Sequence, residues 1–356
     1  MSAPRTFRAA ISGLGFGQAA YIPILRSFPE IELVAVAARR LEKAEEVARR
    51  HGIAVHASST EALLAEGLDL VCLALPPVAS ARAVEASLKA GSALLTEKPL
   101  ALNSRELGEV SRMAAGPRPL GALVNFSFLE LAVFQRLKAE IDAGRIGRLR
   151  RVDMRWQNES FAHRRHIWNW KTDRVQGGGV LTSLGSHVVY MLEYLFEPIA
   201  EIRAVLSAAR TAVFAPPGSV PAVDSVKAEC RLASGAIATI TLDNALAGAD
   251  GHSWEVVGDE GKLVLERVGP GIMTNFVLRL RDRSGAETVL ASDQHSDEVG
   301  GRLPPLRTLV ARMLDHMSGR RSITDNASLL AGCRAQELLD AIEAADRAGG
   351  WIGCRT

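Results

Sequence analysis

The chain has 356 residues, 47% apolar and 23% charged, a globular composition long enough for two domains. Its formal net charge of +2 is spread without blocks of Lys and Arg, which argues against nucleic acid or an anionic membrane surface as partner and favours a small molecule. No run approaches the roughly 20 apolar residues that cross a bilayer, and the opening MSAPRTFRAAISG holds no apolar signal core.

Phe7 to Ser12 is short and apolar and predicts a strand. Gly13-Leu14-Gly15-Phe16-Gly17-Gln18 follows, then a helical run from Ala19 to Phe28 with Pro23 in its first turn. Strand, glycine turn and helix in that order suit a pyrophosphate. Glycines allow the tight turn, and backbone N–H groups at a helix N-terminus attract an anion. Gln18 stands where the usual pattern has its third glycine.

Ile31 to Ala37 reads as a second strand, Leu41 to Arg50 as a charged helix, 54–56 as a third strand, Leu68 to Leu75 as a fourth and Ala93 to Thr96 as a fifth. Alternating β and α elements with strands apolar on both faces predict a parallel, doubly wound α/β sheet, its ligand beyond the carboxyl ends of the strands. After the second strand, where a carboxylate would hold the ribose hydroxyls of NAD, stand Ala38-Arg39-Arg40. A guanidinium there suits a 2′-phosphate, so NADP(H) is favoured over NAD(H). The stretch LLTEKPL closes the fifth strand and places Lys98 at the crevice expected to hold the cofactor's reactive ring. A lysine partly removed from water has a lowered pKa and can exchange a proton. Pro99 then fixes the backbone and is open to a cis bond.

Phe161 to Lys171 packs two tryptophans, two histidines and three cations into eleven residues. Trp168 and Trp170 would stack on a sugar ring or the nicotinamide, or else seal a domain interface, and Lys171 would meet a phosphate or carboxylate. Gly177-Gly178-Gly179 predict a hinge or close-packed turn, and Val180 to Phe196 a long helix. Ser183, His187, Tyr190 and Tyr194 fall on one polar stripe of it, opposite Leu181, Leu184, Val188, Leu192 and Leu195.

Leu149 to Gln157, Val223 to Leu232 and Ala236 to Asp243 alternate, and Trp254 to Val257 and Lys262 to Glu266 flank the turn Gly258 to Gly261. This pattern predicts an antiparallel meander. Asn326 to Arg347 closes the chain as an amphipathic helix with Cys333 in its core face. The four cysteines, at 72, 230, 333 and 354, lack CxxC spacing, and His163 and His166 have no partnering cluster. No metal site is expected, and a reducing cytoplasm fits best.

The segments GLGFG at 13–17, ALPP at 74–77 with Leu75, Pro76 and Pro77, EKP at 97–99 and GGGVLTSLGSH at 177–187 together resemble the glucose-fructose oxidoreductase, inositol dehydrogenase and rhizopine-catabolism family, called Gfo/Idh/MocA. The resemblance implies a Rossmann domain at 1–125 and a substrate-binding and oligomerisation α+β domain at 126–356. The second domain would carry a large open, mostly antiparallel sheet, often a surface for a homodimer or homotetramer. It also implies a nicotinamide cofactor touching Gly13, Gly15, Phe16, Gly17, Gln18, Ala38 to Arg40, Leu75 to Pro77, Glu97 and Lys98, and a sugar- or polyol-like substrate. Lys98 and His187 would be catalytic, with Ser183, Tyr190, Trp168, Trp170 and Lys171 around the substrate. The chain departs from the family at Ser183, where an aspartate is common, and near Ser80, where many relatives carry a histidine.

The expected activity is therefore hydride exchange with a secondary alcohol or ketone of a sugar, sugar nucleotide or cyclitol. Two other readings stay open: an imine or enone reductase of the same fold, and a non-catalytic regulator that senses NADP.

Overall fold

The computed structural model describes residues 6–116, 121–293, 299–323 and 328–354, and in it the chain divides into two units. One runs to Ser127 and takes in Arg302–Cys333; the other holds Phe128–Gly301 and the chain from Arg334 onward. The sequence expectation has a single boundary, at 125/126. The return of 302–333 to the first unit has no counterpart in that expectation.

The first unit is built on β1 (Phe7–Ser12), β2 (Ile31–Ala37), β3 (Val55–Ala57), β4 (Leu70–Leu73), β5 (Ala93–Thr96) and β6 (Ala122–Val124). They lie in the order β3-β2-β1-β4-β5-β6 and every pair is parallel. Ile11, Val36, Leu70, Cys72 and Leu95 are wholly buried, as strands covered on both faces require. The helix expected from Ala19 to Phe28 is instead a π-helical turn, Gly17–Tyr21, running into a short α-helix, Ile22–Arg26. Pro23 sits in the first turn of that α-helix, where its missing N–H would have no partner anyway. Helix Leu303–Met317 buries Leu306, Leu309, Val310 and Met313 in the same apolar cluster as Ile11, Tyr21 and Leu25.

The second unit carries β7 (Leu149–Glu159), β8 (Ile199–Ser207), β9 (Ser225–Leu232), β10 (Ile237–Asp243), β11 (Ala245–Gly258), β12 (Gly261–Arg267), β13 (Phe276–Asp282), β14 (Glu287–Ser292) and β15 (Ile352–Gly353). Their order is β14-β13-β12-β11-β7-β10-β9-β8-β15. The sheet is the expected antiparallel meander except at β7 and β10, which are parallel. No hairpin joins those two, so nothing forces them to run in opposite directions.

One face is apolar, with Val152, Met154, Ile240, Leu242, Trp254 and Leu265 at or near zero exposure. The other carries ion pairs such as Arg151–Asp153 at 2.6 Å and Arg203–Glu229 at 2.7 Å. The closing helix is Leu329–Ala348, and Cys333 is buried on it as expected; residues 326 and 327 of the expected helix lie outside the described residues. Among the described residues no helix is long and apolar enough to cross a membrane.

Candidate active site

The glycine turn shows what each of its glycines does. Gly13 has φ +99°, and a Cβ there would stand 2.2 Å from the Ala74 carbonyl oxygen. A Cβ on Gly15 would meet nothing within 4 Å, so its backbone is open to a pyrophosphate. A Cβ on Gly17 would stand 2.8 Å from Ile11 Cγ2. The close helix-on-strand contact usually given to the third glycine is thus made by Gly17, inside the π-helical turn, which leaves position 18 free to be glutamine. Phe16 meets the Tyr21 ring edge-on at 5.7 Å.

A cavity of about 660 Å³ opens beyond the carboxyl ends of β1, β2 and β4, where the strand order reverses. Ser12, Ala38 and Leu75 line it, with two guanidinium groups, Arg39 and Arg82, and three carboxyl groups, Glu61, Glu85 and Glu106. This is where a doubly wound sheet takes a dinucleotide. The open backbone at Gly15 fits the pyrophosphate of such a dinucleotide, and Arg39 brings a guanidinium to the cavity wall after β2. Arg40 is exposed and precedes helix Leu41–His51. Pro76 and Pro77 open helix Pro77–Ala90, with Pro77 at its first position, and Ser80 is buried on it.

Lys98 stands two residues past the end of β5, after Glu97, and the Lys98–Pro99 bond is cis. The Glu97 side chain is engaged: its Oε1 accepts from the Tyr21 hydroxyl at 3.0 Å and from Asn125 Nδ2 at 2.6 Å. Burial raises the Glu97 pKa, against hydrogen bonds from Asn125 and Tyr21 and the charge of Lys98, which lower it. The Tyr21 hydroxyl is held well above the usual phenol value, first by burial and then by Glu97.

In the second unit the triple glycine is a close-packed turn. A Cβ on Gly178 would stand 2.4 Å from the Trp170 carbonyl oxygen, and Gly179, at φ +115°, would bring one to 2.9 Å from that of Val223. The next helix again opens with a π-helical turn, Leu181–Gly185, before the α-helix Ser186–Leu195. The polar stripe divides along its length. Ser183 is exposed and donates its hydroxyl to Gly179 O at 2.7 Å, whereas His187 and Tyr190 are buried, 8% and 5% exposed. The His187 ring packs edge-on against Phe128 at 5.0 Å and lies tilted 6.0 Å from Trp156. Tyr190 stacks on Tyr194 at 6.5 Å.

Trp168 is half-buried and Trp170 37% exposed, with the Lys171 ammonium 5.7 Å over the Trp170 ring. His163 is bound on both ring nitrogens, to Ser160 Oγ at 2.7 Å and Thr211 Oγ1 at 2.9 Å. Thr211 in turn donates to the buried Asp224 at 3.0 Å, so this histidine ties a loop to the sheet.

Three residues escaped the sequence reading. Tyr21 and Asn125 belong to no recognisable motif, and only their contact with Glu97 reveals them. His252 is 1% exposed, stacks on Trp156 at 4.2 Å and accepts from Trp254 Nε1 at 2.9 Å. Burial, with a smaller effect of Arg267, lowers its pKa to about 3. Its signal is the cross-strand register that sets it opposite Trp156, which no periodicity reveals.

A sheet edge with this glycine turn, cavity and lysine is that of a nicotinamide-nucleotide oxidoreductase. The chain belongs to the Gfo/Idh/MocA oxidoreductase family: the model of its NAD-binding Rossmann fold matches residues 7–118, and that of its C-terminal domain matches 134–264. It is 29% identical over 357 residues to an uncharacterised oxidoreductase of Synechocystis, covering 96% of this chain and 95% of the relative. It is 26% identical over 275 residues to levoglucosan dehydrogenase of Pseudarthrobacter phenanthrenivorans, covering 71% and 70%. A solved levoglucosan dehydrogenase, in complex with NADH and levoglucosan, shares the fold with a TM-score of 0.84 at 20% identity over 99% of this chain and 100% of that one.

Proposed function

We propose that this oxidoreductase is NADP(H)-dependent and acts on a secondary alcohol or ketone of a sugar, sugar nucleotide or cyclitol. The observation that carries the reading is Lys98 at the carboxyl end of β5, on the same sheet edge as the open glycine turn. The likeness to levoglucosan dehydrogenase supports a sugar-like substrate. Arg39 in the cavity wall supports the 2′-phosphate.

When bound, the nicotinamide nucleotide supplies or takes up the hydride. The backbone at Gly15 binds the pyrophosphate, and Arg39 with Arg40 receives the phosphate on the adenosine ribose. Lys98 hydrogen-bonds the reacting oxygen, and Lys98 and His187 exchange its proton. Ser183 and Tyr190 position substrate hydroxyls, with Trp168, Trp170 and Lys171 at the substrate's periphery. We read the protein as a homo-oligomer, built through the exposed face of the nine-stranded sheet.

The test has two arms. Lys98→Ala should lower turnover of keto sugars with NADPH about 100- to 10,000-fold while NADPH affinity, read by fluorescence titration, stays near that of the parent. Near-normal turnover would remove Lys98 from its role. Arg39→Ala should weaken NADPH and leave NADH binding unchanged; equal loss of both would end the NADP reading.

A further inference from the structure

The side chains around Glu97 are chosen against ordinary core logic. Tyr21 is wholly buried and its hydroxyl donates to Glu97. Asn125 is 5% exposed and gives its amide hydrogen to the same oxygen, Glu97 Oε1, while its own buried Oδ1 has no hydrogen-bond partner among the described residues. Leaving a buried acceptor unsatisfied destabilises a fold. Asn125 is therefore oriented by Glu97 and not by its own hydrogen-bonding needs. The two donors come from separate elements, the π-helical turn after the glycines and the end of β6. They converge on the residue next to Lys98, whose backbone N–H Glu97 also accepts and whose charge it feels.

We propose that Tyr21, Glu97 and Asn125 form a positioning network for Lys98: the two donors fix the Glu97 carboxylate, and that carboxylate fixes the charge and direction of the Lys98 ammonium. A charge-assisted acceptor held by two donors has one orientation, and a flexible four-carbon amine beside it loses its freedom to wander. The network also joins the pyrophosphate turn to the acid–base group, since Tyr21 ends the π-helical turn that Gly17 packs onto β1. Among the described residues, the groups facing the Glu97 carboxyl are Tyr21 from the π-helical turn, Cys72 from β4, Lys98 from its own loop and Asn125 from beyond β6. Cys72 is buried with its thiol pushed far above the usual range by burial and then by Glu97, so Lys98 is the one cation among them.

This inference rests on Lys98 as the proton-exchanging group, but its test needs neither substrate nor cofactor. The full-length protein has seven lysines, few enough for selective ¹³C labelling and NMR titration, with Lys98→Met identifying the signal of interest. Glu97→Gln removes the neighbouring negative charge and should lower the Lys98 pKa by about 1 pH unit or more, leaving the other six lysines where they were. Tyr21→Phe keeps the ring against Phe16 and removes only the hydroxyl. It, and Asn125→Ala, should each raise the pKa of Glu97, read from its labelled carboxyl carbon.

A Lys98 value unmoved in Glu97→Gln, or a Glu97 value unmoved in both donor variants, overturns the network. Should Glu97→Gln not fold, the parent protein decides: a step in the Lys98 signal as Glu97 titrates supports the network, and its absence refutes it. Lys98→Ala with normal turnover but an intact network would sink the catalytic reading alone, so the two failures are distinguishable.

Discussion

At the scale of single residues, the two histidines that flank the same aromatic cluster were unequally legible. His187 announced itself by its place in GGGVLTSLGSH, whereas His252 lies in a strand of small residues and gains its meaning only from Trp156 across the ladder. Its physical state yields a prediction. The folded pKa of about 3 lies below the ordinary 6.5, so between those values the unfolded chain takes up a proton that the folded chain refuses. The stability this supplies is complete above pH 6.5 and falls as pH drops toward 3, by at most about 1.4 kcal/mol per pH unit. Replacing His252 by phenylalanine should flatten the acid limb of a plot of denaturation midpoint against pH, while leaving its height at neutrality to be set by packing. An unchanged acid limb would show that the buried imidazole does not govern acid sensitivity.

At the scale of elements, the strands that carry the site were readable because each is buried on both faces and bounded by a turn. β1, β2 and β5 match their sequence readings residue for residue. β6 has three residues and β8 no clean alternation, and neither drew notice. The parallel pairing of β7 with β10 was beyond reach, since side-chain alternation is the same whichever way a neighbour runs. The missing third glycine was the one apparent defect of the cofactor turn, and the π-helical turn accounts for it. Three substitutions separate the roles. Gly17→Ala should destabilise the fold by about 1–3 kcal/mol through its clash with Ile11. Gly13→Ala should lose more, because the Ala74 backbone must move and the φ is unfavourable. Gly15→Ala should scarcely alter the melting temperature yet weaken the dinucleotide, and thermal melts beside cofactor titrations would check all three.

At the scale of the whole molecule, the discontinuous first unit is the feature that composition concealed. Helix Leu303–Met317 is apolar on one side like any surface helix, and nothing in its sequence says that it belongs with a sheet finished nearly two hundred residues earlier. Leu309 has no exposed surface in that shared cluster, so Leu309→Ala should cost about 2–5 kcal/mol in chemical denaturation. A fragment ending at Ser127 should stay loosely packed and bind a hydrophobic dye, and adding a peptide of 302–323 should reduce the dye signal. A fragment that melts cooperatively on its own would contradict this.

That arrangement bears on how the protein is born. A ribosome that has released the sixth strand must add about 190 more residues before the helix ending at Met317 exists, roughly 10 to 40 s of translation. Through that interval the nascent nucleotide-binding half lacks Leu306, Leu309, Val310 and Met313, so its oily flank is sealed only after the other half has been synthesised.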